Sequence, residues 1–217
     1  RDPADDLSRP YPFCLAYGLE DGPEGLGDPA AWLAEWKWDG IRGQVIVRGG
    51  QCFIWSRGEE LMTDRFPELA GLHAVLPDGT VLDGELLAHD GDGPLPFAAL
   101  QKRITRKTVP KKLLTEAPVI LMAYDLLEDA GRDLREMPFA ERRDRLEARL
   151  HDLPEDAPLR PSPLVPFETW DSLATTRATA RRRRTEGLML KRRSGPYHAG
   201  RKKGDWWKWK LDPLTLD

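Results

Sequence analysis

The residues best placed to do chemistry lie in Glu35-Trp36-Lys37-Trp38-Asp39-Gly40-Ile41-Arg42-Gly43. One lysine stands beside an acidic residue and two glycines, just ahead of a β-prone run. Lysine next to Asp-Gly points to an amine held at a tight turn before a strand hairpin, where backbone can approach a phosphate. Such an amine becomes a covalent nucleophile only if its proton is removed. A free lysine titrates near ~10.4, so burial, neighbouring cations or a metal must lower its pKa. A lone Lys-x-Asp-Gly is more often a surface lysine in a turn, so the other blocks of the chain decide its meaning.

Ser56-Arg57 closes the next hairpin and sets a guanidinium facing whatever sits beside Lys37; its planar fork suits phosphate. Asp83-Gly84-Glu85 lies inside the apolar run Val81-Leu82…Leu86-Leu87. Strand alternation puts Asp83 and Glu85 on one face and Leu82 and Leu86 on the other. Carboxylates on such a face cost desolvation unless they meet a cation, a metal or a hydroxyl. Tyr124-Asp125 sits likewise in an apolar strand, where a tyrosine either stacks on a base or simply packs in the core. In Glu186-Gly187-Leu188-Met189-Leu190-Lys191, a regular strand would place Glu186 with Leu188 and Leu190, and Met189 with Lys191. Lys208-Trp209-Lys210 sets two ammonium groups on one face. An anion between them relieves their repulsion, although lysines also protect edge strands from aggregation.

The elements that must hold these residues follow from pattern. Residues 1–30, rich in Pro, Gly and Asp, read as an irregular lead-in in which Pro10-Tyr11-Pro12-Phe13 docks, and Ala30–Ala34 as a helical turn. Gln44–Val47 and Cys52–Trp55 around Gly49-Gly50 form a hairpin. Thr63 or Asp64 is expected to cap a helix reaching Leu76. Thr80–His89 is a strand interrupted at Asp83-Gly84-Glu85, Phe97–Ile104 a short helix, and Val119–Leu127 a buried strand. Pro138 starts an amphipathic surface helix carrying Phe139, Leu146 and Leu150, and a second helix spans Asp171–Arg184. Gly187–Arg192 and Trp206–Leu211 are short strands. The fold class is α+β, with antiparallel sheets flanked by helices.

The 217 residues suit one large domain, and 40% hydrophobic with 32% charged residues gives a core-forming chain rather than a disordered tail. The net charge is −3 but unevenly spread: residues 1–35 are acidic, while 101–112 and 177–203 are rich in Lys and Arg. Local basic patches fit a protein that meets a polyanion on one face. Only Cys14 and Cys52 are present, so no disulfide framework is expected and a reducing, cytoplasmic compartment is. No run approaches the roughly 20 apolar residues of a spanning helix, no signal peptide is evident, and no histidine has zinc-ligand spacing. The start at Arg1 and the stop soon after the Trp-Lys cluster suggest a piece of a longer protein.

Taken together and in this order, Lys37-Trp38-Asp39-Gly40, Ser56-Arg57, Leu82-Asp83-Gly84-Glu85, Tyr124-Asp125-Leu126-Leu127, Glu186–Lys191 and Trp207–Lys210 resemble the motifs of ATP-dependent DNA ligases. The resemblance runs from about Tyr11 to Pro213, with Ser194, Tyr197, Gly200 and Arg201 contributing, and covers the adenylation domain alone. It implies an ATP-grasp-like nucleotidyltransferase domain over residues 31–217, behind the 1–30 lead-in. An oligonucleotide-binding-fold domain and any N-terminal DNA-binding domain would lie outside the chain.

The resemblance also implies roles. Lys37 would attack the α-phosphate of ATP to give lysyl-AMP. Glu35 would meet the adenine edge, with Tyr124 and Met189 on its two faces. Arg42 and Arg57 would hold ribose and phosphate, Glu85 the ribose or a metal, and Glu186 a divalent metal, Mg²⁺. Lys191, Lys208 and Lys210 would surround the α-phosphate. Arg181, Arg182, Arg183, Arg184, Lys202 and Lys203 are expected to contact the phosphates of nicked duplex DNA, with a monomer as the working unit. Tyr124 stands where the family more often has Phe. The alternatives are an RNA ligase or mRNA guanylyltransferase, which share the Lys-x-Asp-Gly lysine, and a non-catalytic nucleic-acid-binding module.

Overall fold

The computed structural model describes residues 7–213, built from two curved sheets facing one another. The strands are β1 (Cys14–Leu15), β2 (Tyr17–Gly18), β3 (Trp32–Trp38), β4 (Ile41–Arg48), β5 (Gln51–Ser56), β6 (Thr80–Ala88), β7 (Val119–Asp129), β8 (Arg132–Asp133), β9 (Leu159–Pro161), β10 (Thr185–Arg192), β11 (Gly200–Arg201) and β12 (Trp206–Lys210). The helices are α1 (Phe97–Ile104), α2 (Lys111–Glu116), α3 (Phe139–Leu150) and α4 (Trp170–Arg177).

The larger sheet runs β5-β4-β6-β7-β8, with β9 also on β7; the smaller runs β2-β12-β10-β3. Their long pairings are antiparallel, as the sequence predicts; β9 on β7, β2 on β12 and the two-residue pair β1–β11 are parallel. The β4–β5 hairpin turns on Gly49 and Gly50, both left-handed (φ 60° and 70°), as a two-residue loop in a right-twisted ribbon requires.

Leu82, Leu86, Leu121 and Leu126 carry one core beneath the larger sheet, joined by Phe66, Leu69, Leu100, Leu146 and Leu150. Trp32, Trp36, Trp38, Leu188, Leu190 and Trp209 carry a second core, closed by Trp170 and Leu173 of α4.

The described part of the lead-in docks as an extended peptide. Gln44, fully buried, exchanges both side-chain hydrogen bonds with the backbone of Tyr11 (3.0 and 2.7 Å), and the Tyr11 hydroxyl donates to Glu128 at 2.5 Å. Trp55 donates its indole N–H to the Ser8 carbonyl.

Several expectations are corrected. Residues 63–76 form no α-helix but two 3₁₀ stretches, Thr63–Arg65 and Pro67–Ala74. The Thr63 hydroxyl accepts from the Ile54 N–H rather than capping, and Phe66 ahead of Pro67, held outside the helical region (φ −129°, ψ 63°), separates the turns. The 30–34 turn is a 3₁₀ turn at Pro29–Ala31, after which β3 begins at Trp32. Lys37 therefore lies within a strand, and Asp39-Gly40 make the turn that follows it. β6 is continuous through Asp83-Gly84-Glu85 and takes up the irregularity as a register shift against β7.

The 171–184 helix stops at Arg177. A 3₁₀ turn, Ala180–Arg183, and left-handed Arg184 (φ 55°) follow. The Thr179 hydroxyl bonds back to the Thr176 carbonyl and the Thr185 hydroxyl to the Ala180 carbonyl, local bonds that compete with a continuing helix. Helix α3 is not a purely solvated amphipath either: Arg142 and Arg143 are buried. Arg142 grips Asp125 through two bonds of 2.8 and 3.0 Å, and Arg143 donates to the Ser162 carbonyl. Those partners lie in β7 and just beyond β9, out of reach of a helical-periodicity argument.

Candidate active site

Between the two sheets lies a cavity of about 530 Å³. The smaller sheet supplies Lys37 from β3, Glu186, Met189 and Lys191 from β10, and Trp206, Lys208 and Lys210 from β12. The larger sheet supplies Arg42, Glu85 and Tyr124, with Arg57 following β5. Of the predicted nucleotide- and metal-binding residues, all but Glu35 line this one space.

Register explains the smaller sheet's contribution. Met189 pairs with Glu35 and Lys208, while Leu188 pairs with Trp36 and Trp209, so one face is polar and the other apolar. Near Glu186 the alternation breaks. From Leu188 to Thr185 is three steps on β10 but only two on β3, from Trp36 to Trp38, a bulge of one residue. Gly187 absorbs it at φ 135°, where a Cβ would lie 2.3 Å from the Trp209 carbonyl oxygen. A regular strand would pair Glu186 with Leu188; the bulge instead brings its carboxylate to the Lys37 amine, Nζ to Oε2 2.6 Å. Gly40, next to the lysine, is equally constrained, since a Cβ would come within 2.2 Å of the Leu86 carbonyl oxygen.

The walls differ from the rim. Arg42 is locked: Nε and Nη2 bond both Asp83 oxygens (3.1 and 2.7 Å), Nη1 donates to the Cys14 carbonyl, and Tyr197 donates its hydroxyl to Asp83 at 2.6 Å. Glu35 and Lys191, each 1% exposed, form a 2.9 Å ion pair, with Arg143 3.6 Å from the other Glu35 oxygen. Glu35 therefore lies behind the wall and holds Lys191, whose ammonium also sits 4.0 Å over Tyr124 and 4.1 Å over Trp206.

Arg57, Arg201, Lys208 and Lys210 line the cavity and make no ion pair among the described residues. Burial pushes the Lys208 pKa down, and Arg201, Lys37, Lys210 and Arg57 push it further, as expected where cations crowd together in a site suited to an anion. Burial lifts the Asp39 carboxyl, helped by Glu186 and opposed by Lys37 and Lys210. Burial also raises Glu85 to about 8, against the pull of Arg42 and Lys37.

Sequence reasoning gave Arg201 and Asp39 no separate role in this cavity. For Arg201 the available signal was its place at the head of the basic Arg201-Lys202-Lys203 run. Arg181 and Arg184 line a neighbouring groove with Leu95, Pro96 and Phe97, and that groove shares Asp39 and Glu186 with the main cavity. Arg182, Lys202 and Lys203 are exposed outside both, and Arg183 lies 5.0 Å over the Trp36 ring.

Among the described residues no cluster of three or more His, Cys, Asp or Glu forms a ready metal cage. Glu186, Glu85 and Asp39 are nonetheless hard oxygen donors in the cavity, and Mg²⁺ is commonly held by one or two carboxylates together with substrate phosphates. The donor set fits that mode.

The sequence profile of the ATP dependent DNA ligase domain matches residues 19–210. A DNA ligase of Haloferax volcanii is 37% identical over 98% of the chain, and a probable DNA ligase of Opitutus terrae 39% over 94%. The chain spans 36% and 23% of those relatives' lengths. A mycobacterial DNA ligase D solved with ATP and MES superposes with a TM-score of 0.72 at 29% identity, over 95% of this chain and 60% of the other. The Chlorella virus DNA ligase-adenylate, 21% identical with a TM-score of 0.68 over 93% of this chain and 69% of the other, shares the fold. No helix among the described residues is long and apolar enough to cross a membrane.

Proposed function

The chain belongs to the ATP-dependent DNA ligase family, and from that premise we propose that it is the adenylation unit of a nick-sealing enzyme, with Lys37 as the nucleophile. The observation that carries the reading is the Lys37 amine, 2.6 Å from the Glu186 carboxylate, in a cavity also lined by Arg57, Arg201, Lys208 and Lys210, which are unpaired among the described residues. With its proton withdrawn, Nζ attacks the α-phosphorus of ATP. The P–N bond forms, the α–β phosphoanhydride breaks, and pyrophosphate leaves. A 5′-phosphate oxygen at a nick then displaces Lys37 from the AMP phosphorus. The 3′-hydroxyl attacks the 5′-phosphate in turn, closing the backbone and expelling AMP.

Lys208, Lys210, Arg57 and Arg201 stabilise negative charge on the phosphates as it grows, the role for which fixed cations at a water-poor site are best suited. Tyr124 and Met189 offer the two apolar surfaces for a base, and Glu85 hydrogen-bonds the ribose. Arg42, its donors already engaged, shapes the floor. Glu35, behind the wall, fixes Lys191 toward the α-phosphate through their buried ion pair. Glu186, with Glu85 or Asp39, would hold a Mg²⁺ ion, which supplies charge neutralisation for the leaving pyrophosphate. Arg181, Arg184 and their basic neighbours contact duplex phosphates. The oligonucleotide-binding domain expected elsewhere in the same polypeptide would complete the grip on DNA.

Intact mass after incubation with ATP and Mg²⁺ tests the reading. Wild type is expected to gain one AMP, and Lys37→Arg none, because arginine keeps the charge but never presents a neutral amine. An adduct that persists in Lys37→Arg and maps to another lysine would overturn it.

A further inference from the structure

One basic segment is not absorbed by the cavity. Between Asp92 and Glu116 the chain carries no acidic residue, although acids outnumber Lys and Arg over the whole sequence, 36 to 33. This stretch folds as the hairpin of α1 and α2. Lys102, Arg106, Lys107, Lys111 and Lys112 are exposed on it, with a single ion pair among them, Lys112 to Glu116 at 3.6 Å. A sixth cation, Arg103, does different work: it is fully buried, bonds Glu68 and the carbonyls of Arg65 and Ala117, and anchors the hairpin to the 3₁₀ stretches at 63–74. The cations are thus presented on a tethered element.

Their position matters as much as their charge. Phe97, the first residue of α1, lines the groove that holds Arg181 and Arg184 and shares Asp39 and Glu186 with the main cavity. At about 1.5 Å of rise per residue, Lys102 lies roughly 7.5 Å along the helix axis from Phe97. The cations are therefore carried by the same short hairpin whose first helical residue borders the groove adjoining the main cavity. Like charges gathered on one short hairpin, with one counter-charge paired among the described residues, fit a regularly spaced polyanion.

We infer that the α1–α2 hairpin is a second docking surface for the phosphate backbone of duplex DNA, separate from the Arg181–Arg184 turn. This rests on the proposed nick-sealing reading. The surface is read by charge alone and is indifferent to base sequence.

The test compares wild type with Lys102→Gln/Arg106→Gln/Lys107→Gln/Lys111→Gln, all exposed positions outside the cavity. Binding of a labelled nicked duplex is followed by fluorescence anisotropy in about 20–200 mM salt, without ATP, and adenylation is measured in parallel. Each phosphate contact removed lowers the slope of log affinity against log salt by about 0.9, so loss of two to four contacts flattens it by about 2–4. Adenylation is expected to stay at the wild-type level. Wild-type salt dependence with an unchanged variant slope would overturn this inference and leave the ligase reading standing. Wild type that adenylates but binds no duplex at low salt would overturn it too. Failure of wild type to adenylate strikes the proposed function instead. Competition by polyglutamate as effective as by duplex would overturn DNA as the occupant.

Discussion

Replacing Lys191 by methionine keeps most of the side chain's volume and removes its charge from a site where both ionic partners are 1% exposed. Glu35 then keeps only Arg143, 3.6 Å away and beyond good hydrogen-bond range. At an effective dielectric of about 20, the attraction across the 2.9 Å pair is about 6 kcal/mol. Desolvation offsets part of that while both charges are present, but the cost of Glu35 remains once its partner is gone. Breaking such a pair typically costs about 3–5 kcal/mol, a large share of the roughly 5–15 kcal/mol that holds a domain folded. With a urea m-value of about 2–3 kcal/mol/M, the unfolding midpoint should fall by roughly 1–2 M. Tryptophan fluorescence is a fitting probe, since Lys191 sits over Trp206. The reasoning makes a second demand: Glu35→Leu/Lys191→Met, which removes both charges, should recover most of the lost stability. A single variant within about 1 kcal/mol of wild type, or a double variant as unstable as the single, would refute it.

Stability without nucleotide or metal should fall between about pH 4.3, the ordinary glutamate value, and about 8, because folded Glu85 retains a proton there that the unfolded chain has lost. Glu85→Gln should remove up to about 1.4 kcal/mol of that slope per pH unit, which urea midpoints at stepped pH would reveal. Gly187→Ala should cost more than about 2 kcal/mol, since its Cβ has no room beside Trp209 and its backbone is left-handed. It should also slow adenylation more than Leu188→Val does, as measured by single-turnover labelling, because the bulge sets Glu186 beside Lys37.

What was legible in the sequence was whatever local pattern controls. The Gly49-Gly50 hairpin, the β7 run, the Phe97–Ile104 helix and the Lys208/Lys210 face all follow from periodicity and turn chemistry. The side of Glu186 is not legible in the sequence, because alternation holds only for a regular strand, and a one-residue bulge is a property of pairing with β3 rather than of β10 alone. The burial of Arg142 and Arg143 on the Pro138 helix is not legible in its periodicity, because their partners, Asp125 and the Ser162 carbonyl, come from elsewhere in the chain. Lys37 reads as part of a turn because the turn-forming Asp39-Gly40 follows it so closely, whereas the strand Trp32–Trp38 carries it up to that turn. The site's identity rested on six motifs in order; its geometry needed the sheets.

The docked lead-in also bears on how the domain can be divided. Its β1 and β2 lie parallel to β11 and β12, neighbours far along the chain, and the Cys14 carbonyl takes a bond from the arginine at the cavity floor. This is the geometry of a bound peptide ligand that happens to be covalently attached. A chain shortened to begin at Pro29 would leave Gln44 and one Arg42 donor buried with nothing to bond. A separate peptide covering residues 7–28 should therefore restore by association what the cut removed, so that two fragments, neither competent alone, reconstitute one nucleotide pocket.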